Sequence, residues 1–155
     1  MNVDPAFQRL YEEEARAVFR TVYLLCRDRS VAEEATQEAF ARALERWPRL
    51  RDQPWVGGWV TTTAVNLARR TLRRRRPAEL ERGRGVDVDE AVDLWRAVRQ
   101  LSLRQQQAVV LRYRLDFTVE DAAAVMGCDA GTVRTHLARA REALRARMGG
   151  IDVRT

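Results

Sequence analysis

The sequence predicts an all-α protein of two small helical domains joined by a flexible linker. Three observations point there. Apolar residues recur at three-to-four spacing through two long stretches, the period of helices rather than strands. Between them, Pro77 to Asp89 has no apolar period, is acidic and carries Gly83 and Gly85, the marks of a linker. A chain of 155 residues has room for one ordinary domain or two very small ones. These features set a first domain at 1–76, a linker at 77–88, a second domain at 89–148 and a short tail at 149–155.

The first domain reads as three helices. The first runs from about Pro5 to Cys26, with Phe7, Leu10, Tyr11, Val18, Val22 and Leu25 at helical spacing. The second opens on Ser30-Val-Ala-Glu33, the pattern of a capping box, and stops at Trp47-Pro48. Ala32, Thr36, Ala39, Phe40, Ala43 and Trp47 form its apolar face, and Glu34, Gln37, Glu38, Ala41 and Glu45 lie opposite. The third starts within Asp52–Gly58 and ends near Arg76, its start blurred by Gly57-Gly58. Val56, Val60, Thr63, Ala64 and Leu67 are its expected inward row.

Four shorter helices follow in the second domain. The first spans about Asp89–Gln100, with Val92, Trp95 and Val98 inward. Ser102-Leu-Arg-Gln105 is a second capping-box pattern and starts a helix that continues through Tyr113. Thr118 is a natural cap for the third, which carries Ala122, Ala123, Val125 and Met126 to Gly127. After the turn Gly127-Cys128-Asp129, the last helix runs from about Ala130 to Met148, with Val133, Leu137, Ala140, Leu144 and Met148 as its apolar stripe. Helix, glycine, short turn and helix is the helix-turn-helix pattern.

Charge narrows the function. The net charge is +6 and the pI near 10.5, a balance that favours an anionic partner such as nucleic acid. All 28 basic residues are Arg; coding bias in a GC-rich genome accounts for that, and Arg also suits phosphate and base-edge contacts. Residues 41–76 hold ten Arg against two acids, and residues 94–155 eleven against six. On the last helix, Gly131, Thr132, Arg134, Thr135, Ala138 and Arg139 face away from the stripe, small residues beside groups that reach bases and phosphates. On the third helix, Trp55, Trp59, Thr62, Asn66, Arg69 and Arg73 fall within about 80° of one another at about 100° per residue. Aromatic, amide and Arg groups in one stripe suit unstacked bases and a single-strand backbone.

Other classes find little support. His136 is the only histidine, which leaves no imidazole pair for a metal or a relay, and neither a catalytic centre nor a cofactor is expected. Gly83-Arg-Gly85 follows no strand and makes no phosphate loop. Cys26 and Cys128 lie far apart with no CxxC spacing; they suit a reducing cytoplasm and read as small buried hydrophobes. Trp47 and Trp95 read as core. No apolar run approaches the roughly 20 residues of a membrane helix, and the start of the chain does not resemble a signal peptide.

Longer segments resemble one known family. Ala32-Glu-Glu-Ala-Thr-Gln-Glu-Ala-Phe40 and Trp59-Val-Thr-Thr-Thr-Ala-Val-Asn-Leu-Ala-Arg-Arg70 in the first half are similar to motifs of the extracytoplasmic-function, or group four, sigma factors of bacterial RNA polymerase. So, in the second half, are Leu111-Arg-Tyr113, Phe117-Thr-Val-Glu-Asp-Ala-Ala123, Gly131-Thr-Val-Arg134, Arg139-Ala-Arg141 and Leu144-Arg145. The resemblance covers about Phe7 to Met148. It implies a sigma domain two that binds the polymerase clamp and opens the minus-ten element, and a sigma domain four that reads the minus-35 element. Sigma domain three is expected to be replaced by the linker. Core RNA polymerase, promoter DNA and an anti-sigma factor are the implied partners, with no membrane insertion.

On that resemblance Glu34, Gln37, Glu38 and Glu45 are assigned to core-polymerase binding. Thr62, Asn66, Arg69 and Arg73 are assigned to minus-ten DNA, with Trp59 structural. Thr132, Arg134, Thr135 and Arg139 are assigned to minus-35 DNA. Two other classes stay open at this level: a conventional helix-turn-helix regulator, and a sigma-like protein-interaction adaptor that never reads DNA.

Overall fold

A computed structural model describes residues 2–75 and 92–149, helices and turns in two separate units. The expected linker at 77–88, the first residues of the second domain and the tail beyond 149 lie outside the described residues.

The first unit is organised at its N-terminus by Asp4. One carboxylate oxygen caps α1, Pro5–Cys26, by accepting the Ala6 N–H at 2.8 Å. The other accepts the Trp47 indole N–H at 3.0 Å and pairs with Arg51 at 3.2 Å. The backbone hydrogen bond, then the Trp47 and Arg51 contacts, hold this carboxyl below its ordinary value against the opposing effect of burial. Arg27, with φ of 58°, ends α1 and turns the chain within two residues into α2, Arg29–Glu45.

The cap of α2 is not the expected one. Asp28 accepts the Val31 N–H at 3.0 Å, and Ser30 lies inside the first turn. The short connection leaves Asp28 in the extended conformation that a cap requires. Its carboxylate, almost wholly buried, also faces Arg75 at 3.9 Å, a tertiary partner invisible to a local pattern. α2 ends at Glu45, before Trp47-Pro48, and the chain restarts in a one-turn helix, α3, Trp47–Leu50. Pro48 fits there because the first-turn N–H groups lack partners in any case.

α4, Val56–Arg74, packs against both α1 and α2. Both glycines lie within its first turn. The core joins Val18, Val22 and Leu25 of α1, Val31, Ala35, Ala39 and Ala43 of α2, and Val60, Ala64, Val65 and Ala68 of α4. Phe7 meets Phe40 and Trp47 edge-on, at centroid distances of 6.4 and 5.2 Å. Trp47 is core, as expected; Tyr11 stays exposed with its ring edge on Phe40. The inward row of α4 is wider than expected and rotated: Thr61, Thr62, Val65 and Ala68 are buried, while Val56, Thr63 and Leu67 are half-buried.

The second unit starts with α5, Val92–Arg99, which buries Ala97 and Val98 and leaves Trp95 half-buried rather than core. The Ser102–Gln105 capping box forms in both directions and starts α6, Leu103–Val109. A π-helical turn, Val110–Arg114, follows where a plain helix was expected. Its widened register keeps Val110 and Leu111 both buried, and Asp116, with φ of 57°, ends the segment. α7, Val119–Met126, and α8, Ala130–Arg147, complete the unit. Cys26 and Cys128 are half-buried, and the Cys26 thiol donates to the Asp28 carbonyl at 3.3 Å.

The cap assignment gives a direct test. Asp28→Ala is expected to lower unfolding stability by about 1–2 kcal/mol, the range for a lost N-cap. Ser30→Ala is expected to stay within about 0.5 kcal/mol of wild type. Urea denaturation of both variants measures this, and the reverse order would return the cap to Ser30.

Candidate nucleic-acid interface

The helix-turn-helix is fixed by three local devices. Thr118 caps α7 by accepting the Asp121 N–H at 3.1 Å. Gly127 closes α7 at φ of 67°, a conformation that disfavours any side chain. Asp129 caps α8 by accepting the Thr132 N–H at 2.7 Å, and hydrogen bonds from Thr132, then Gly131, hold its carboxyl below the ordinary value. Arg104 adds a device the sequence reading missed: it donates to the Met126 carbonyl at 2.9 Å and so covers the C-terminus of α7.

Burial of Val133, Leu137, Ala140 and Leu144 sets the rotation of α8. The same rotation leaves Gly131, Arg134, Thr135, Ala138 and Arg139 exposed and Thr132 half-buried, one continuous face. The Thr135 hydroxyl donates to the Gly131 carbonyl at 3.1 Å and keeps its lone pairs outward as an acceptor. Arg134 lies 3.6 Å from Glu120 of α7. His136 is half-buried beside the apolar stripe. Further along α8, Arg141 donates to the Tyr113 hydroxyl at 2.7 Å, tying the π-helical turn to this helix. Tyr113 and Arg141 both lie in family motifs, but their pairing across 28 residues has no local signal.

On α4 the structure separates Thr62 from the rest of the expected stripe. Trp55, Trp59, Asn66 and Arg69 are half-buried and Arg73 is exposed. Thr62 is buried, and its hydroxyl bonds the Gly58 and Trp59 carbonyls at 3.0 and 3.2 Å. A threonine that satisfies its own hydroxyl on the preceding turn packs its methyl like an apolar residue, so Thr62 does not stand with the surface groups. Arg69 is pushed down from its ordinary value by burial, then by the charge of Arg73 one turn on. Arg46, from the end of α2, lies over the Trp59 ring at 5.8 Å and brings another cation to the stripe.

On α2, Glu34, Gln37, Glu38, Ala41 and Glu45 are all exposed, opposite the buried face. Glu38 pairs with Arg42 at 3.2 Å and Glu34 with Arg75 at 3.6 Å. Leu44, 44% exposed, adjoins Gln37 on the helical wheel and gives this acidic face an apolar margin that the sequence reading did not include.

A helix-turn-helix with an Arg/Thr face, and a helical unit with an acidic face and an aromatic–amide–Arg stripe, in which the one-turn α3 adds a fourth helix to the three expected, define a two-domain DNA-binding transcription factor. The family pattern of sigma-70 region 2 matches residues 10–78, and that of sigma-70, region 4, matches residues 91–144. The chain is 32% identical over 153 residues to the ECF RNA polymerase sigma factor SigC of Mycobacterium tuberculosis, a match covering 91% of this chain and 82% of that protein. It is 32% identical over 146 residues to the ECF RNA polymerase sigma factor BldN of Streptomyces coelicolor; the match covers 84% of this chain and 55% of BldN, so the chain spans about half of that relative's length. In fold it is similar to the sigma factor RpoE of Bartonella quintana, solved with the anti-sigma factor NepR, with a TM-score of 0.70, 22% identity and coverage of 94% and 98% of the two chains. The chain belongs to the sigma-70 family, as an RNA polymerase sigma factor of the extracytoplasmic-function type. Both domains of that family in their order favour this reading over a conventional regulator or an adaptor. No described helix is long and apolar enough to cross a membrane.

The exposed face of α8 makes Arg134 testable by substitution. If Arg134 reads a guanine edge, Arg134→Ala loses about 1–3 kcal/mol of discrimination at one base pair. If it holds a phosphate, binding weakens on all sequences and the salt slope falls by about one unit. Holoenzyme binding to matched and mismatched minus-35 sequences separates the two, and no change on either would remove this helix from DNA reading.

Proposed function

We propose that this sigma factor carries core RNA polymerase to its promoters through three separate faces, and that it acts by binding rather than by catalysis. The α2 face of Glu34, Gln37, Glu38 and Glu45 docks on the polymerase. The α8 face of Thr132, Arg134, Thr135 and Arg139 reads the minus-35 element as duplex DNA. The α4 stripe holds the minus-ten strand once it is unpaired, with Asn66 donating and accepting at one base edge and Arg69 and Arg73 on the backbone. An anti-sigma factor that covers these faces is the expected regulator, and the cytoplasm, where polymerase and promoter meet, is the expected compartment.

The observation that carries this is the placing of charge. Within the first unit, α2 exposes acids and α4 exposes Arg. Phosphate repels the first and attracts the second, so promoter DNA has one suitable side of the unit and a protein partner the other. Arg69 and Arg73 already crowd each other. An anionic strand laid along them relieves that repulsion, which favours binding there over binding elsewhere.

Two experiments test the division of labour. Glu38→Arg combined with Gln37→Ala is expected to weaken binding to core polymerase while circular dichroism stays native; wild-type binding would remove α2 as the dock. Asn66→Ala is expected to keep core binding and minus-35 binding but to lose open-complex formation on duplex promoters. A pre-melted bubble is expected to restore much of the opening, with relaxed base preference. Opening at the wild-type rate with full minus-ten selectivity would refute the role given to Asn66.

A further inference from the structure

The ion pair across the helix-turn-helix suggests how reading by Arg134 is set. Glu120 lies in the first turn of α7 and Arg134 in the second turn of α8, and the two meet at 3.6 Å with 70% and 62% of their side chains exposed. A pair this exposed contributes little to the fold. Its position is the informative part, because it ends on a cation of the DNA-facing surface and puts an acid beside it. A carboxylate close to phosphates is unfavourable unless a cation neutralises it.

We infer that Glu120 is a positioning residue for Arg134: it fixes the guanidinium toward one place on the duplex and thereby sets the margin between the correct minus-35 sequence and other DNA. The inference rests on the reading of α8 as the recognition helix. The guanidinium carries five donors in a rigid fork. Glu120 faces one terminal nitrogen at 3.6 Å, an ion-pair rather than a hydrogen-bond distance, and leaves the donors for the ligand. A side chain already held loses less freedom on binding than one that must be ordered at that moment. An Arg134 released from Glu120 is free to swing to whichever phosphate is nearest, a contact every sequence offers equally. The acid thus acts in two ways with the same sign: it orients the reading cation, and it lowers the attraction of this surface for DNA in general.

Glu120 also suits the first turn of α7 as a carboxylate near a helix N-terminus. That role alone predicts an effect on stability and none on selectivity, so the two are separable. The test uses the full chain as holoenzyme and compares a matched promoter with one whose minus-35 element is scrambled. Glu120→Gln keeps the side-chain size and removes the charge. It is expected to raise binding to the scrambled promoter and steepen its salt dependence. The ratio of matched to scrambled binding is expected to fall roughly three- to tenfold, a part of what one bidentate Arg–guanine contact supplies. In an Arg134→Ala background the same Glu120→Gln change is expected to leave that ratio unaltered, since its target is gone. An unchanged ratio in the single variant would overturn the inference, and so would an equal loss in both backgrounds, which is the signature of a general charge effect. Arg134→Ala alone guards the underlying reading. If it weakens matched binding while Glu120→Gln leaves selectivity intact, only the positioning role fails; if it changes nothing on any promoter, the recognition helix itself is misassigned.

Discussion

Packing of α4 against two helices at once is the constraint on which the first unit depends. A helix that meets one neighbour buries a stripe; a helix that meets α1 and α2 together must bury about half its circumference. The sequence supplies that arc with small groups, Gly58, Ala64, Ala68 and threonines, with Val60 and Val65 between them. Small residues let three backbones come together, and the buried threonines avoid an unsatisfied hydroxyl by bonding back to carbonyls one turn earlier, Thr61 to Gly57 at 2.8 Å and Thr62 to Gly58 at 3.0 Å. What remains outside includes the half-buried Trp59, Asn66 and Arg69 and the exposed Arg70, Arg73 and Arg74. The stripe proposed for the minus-ten strand is therefore part of the complement of a packing requirement.

The second unit reaches a similar result through caps rather than breadth. α7 is only eight residues long, too short to hold by its own hydrogen bonds. Thr118 at its start, and Gly127 with the Arg104 guanidinium at its end, satisfy groups that a short helix leaves open. With Asp129 starting α8 two residues later, the angle between the helices has little freedom. The Arg141 to Tyr113 contact then ties α8 to the π-helical turn. The reading of base edges proposed for α8 needs this rigidity, since a base-edge contact is directional in a way that phosphate attraction is not.

The charge arrangement connects structure to action. A basic protein with uniform charge binds DNA along its length; here the acids of α2 give one unit a side that repels phosphate. One terminal nitrogen of Arg104 donates both to the Gln107 side chain and to the Met126 carbonyl.

The sequence by itself determined the helical class, most helix positions, the two-domain order, the helix-turn-helix and the faces of α2 and α8. Each of these follows from periodicity over many residues or from a cap and turn of fixed spacing, and both signals are local. Thr61, Thr62 and the true inward row of α4 were not legible, because hydropathy ranks threonine as polar and cannot know that its hydroxyl is satisfied by the helix itself. The cap at Asp28 was masked by a better-looking box at Ser30, and the choice was made by the short turn at Arg27 and by the approach of Arg75. Asp4 with Trp47, Arg46 with Trp59, Arg141 with Tyr113 and Glu120 with Arg134 join residues 13 to 43 positions apart. Only tertiary structure decided these, because each depends on where two helices cross, and a helical period carries no information about its neighbour.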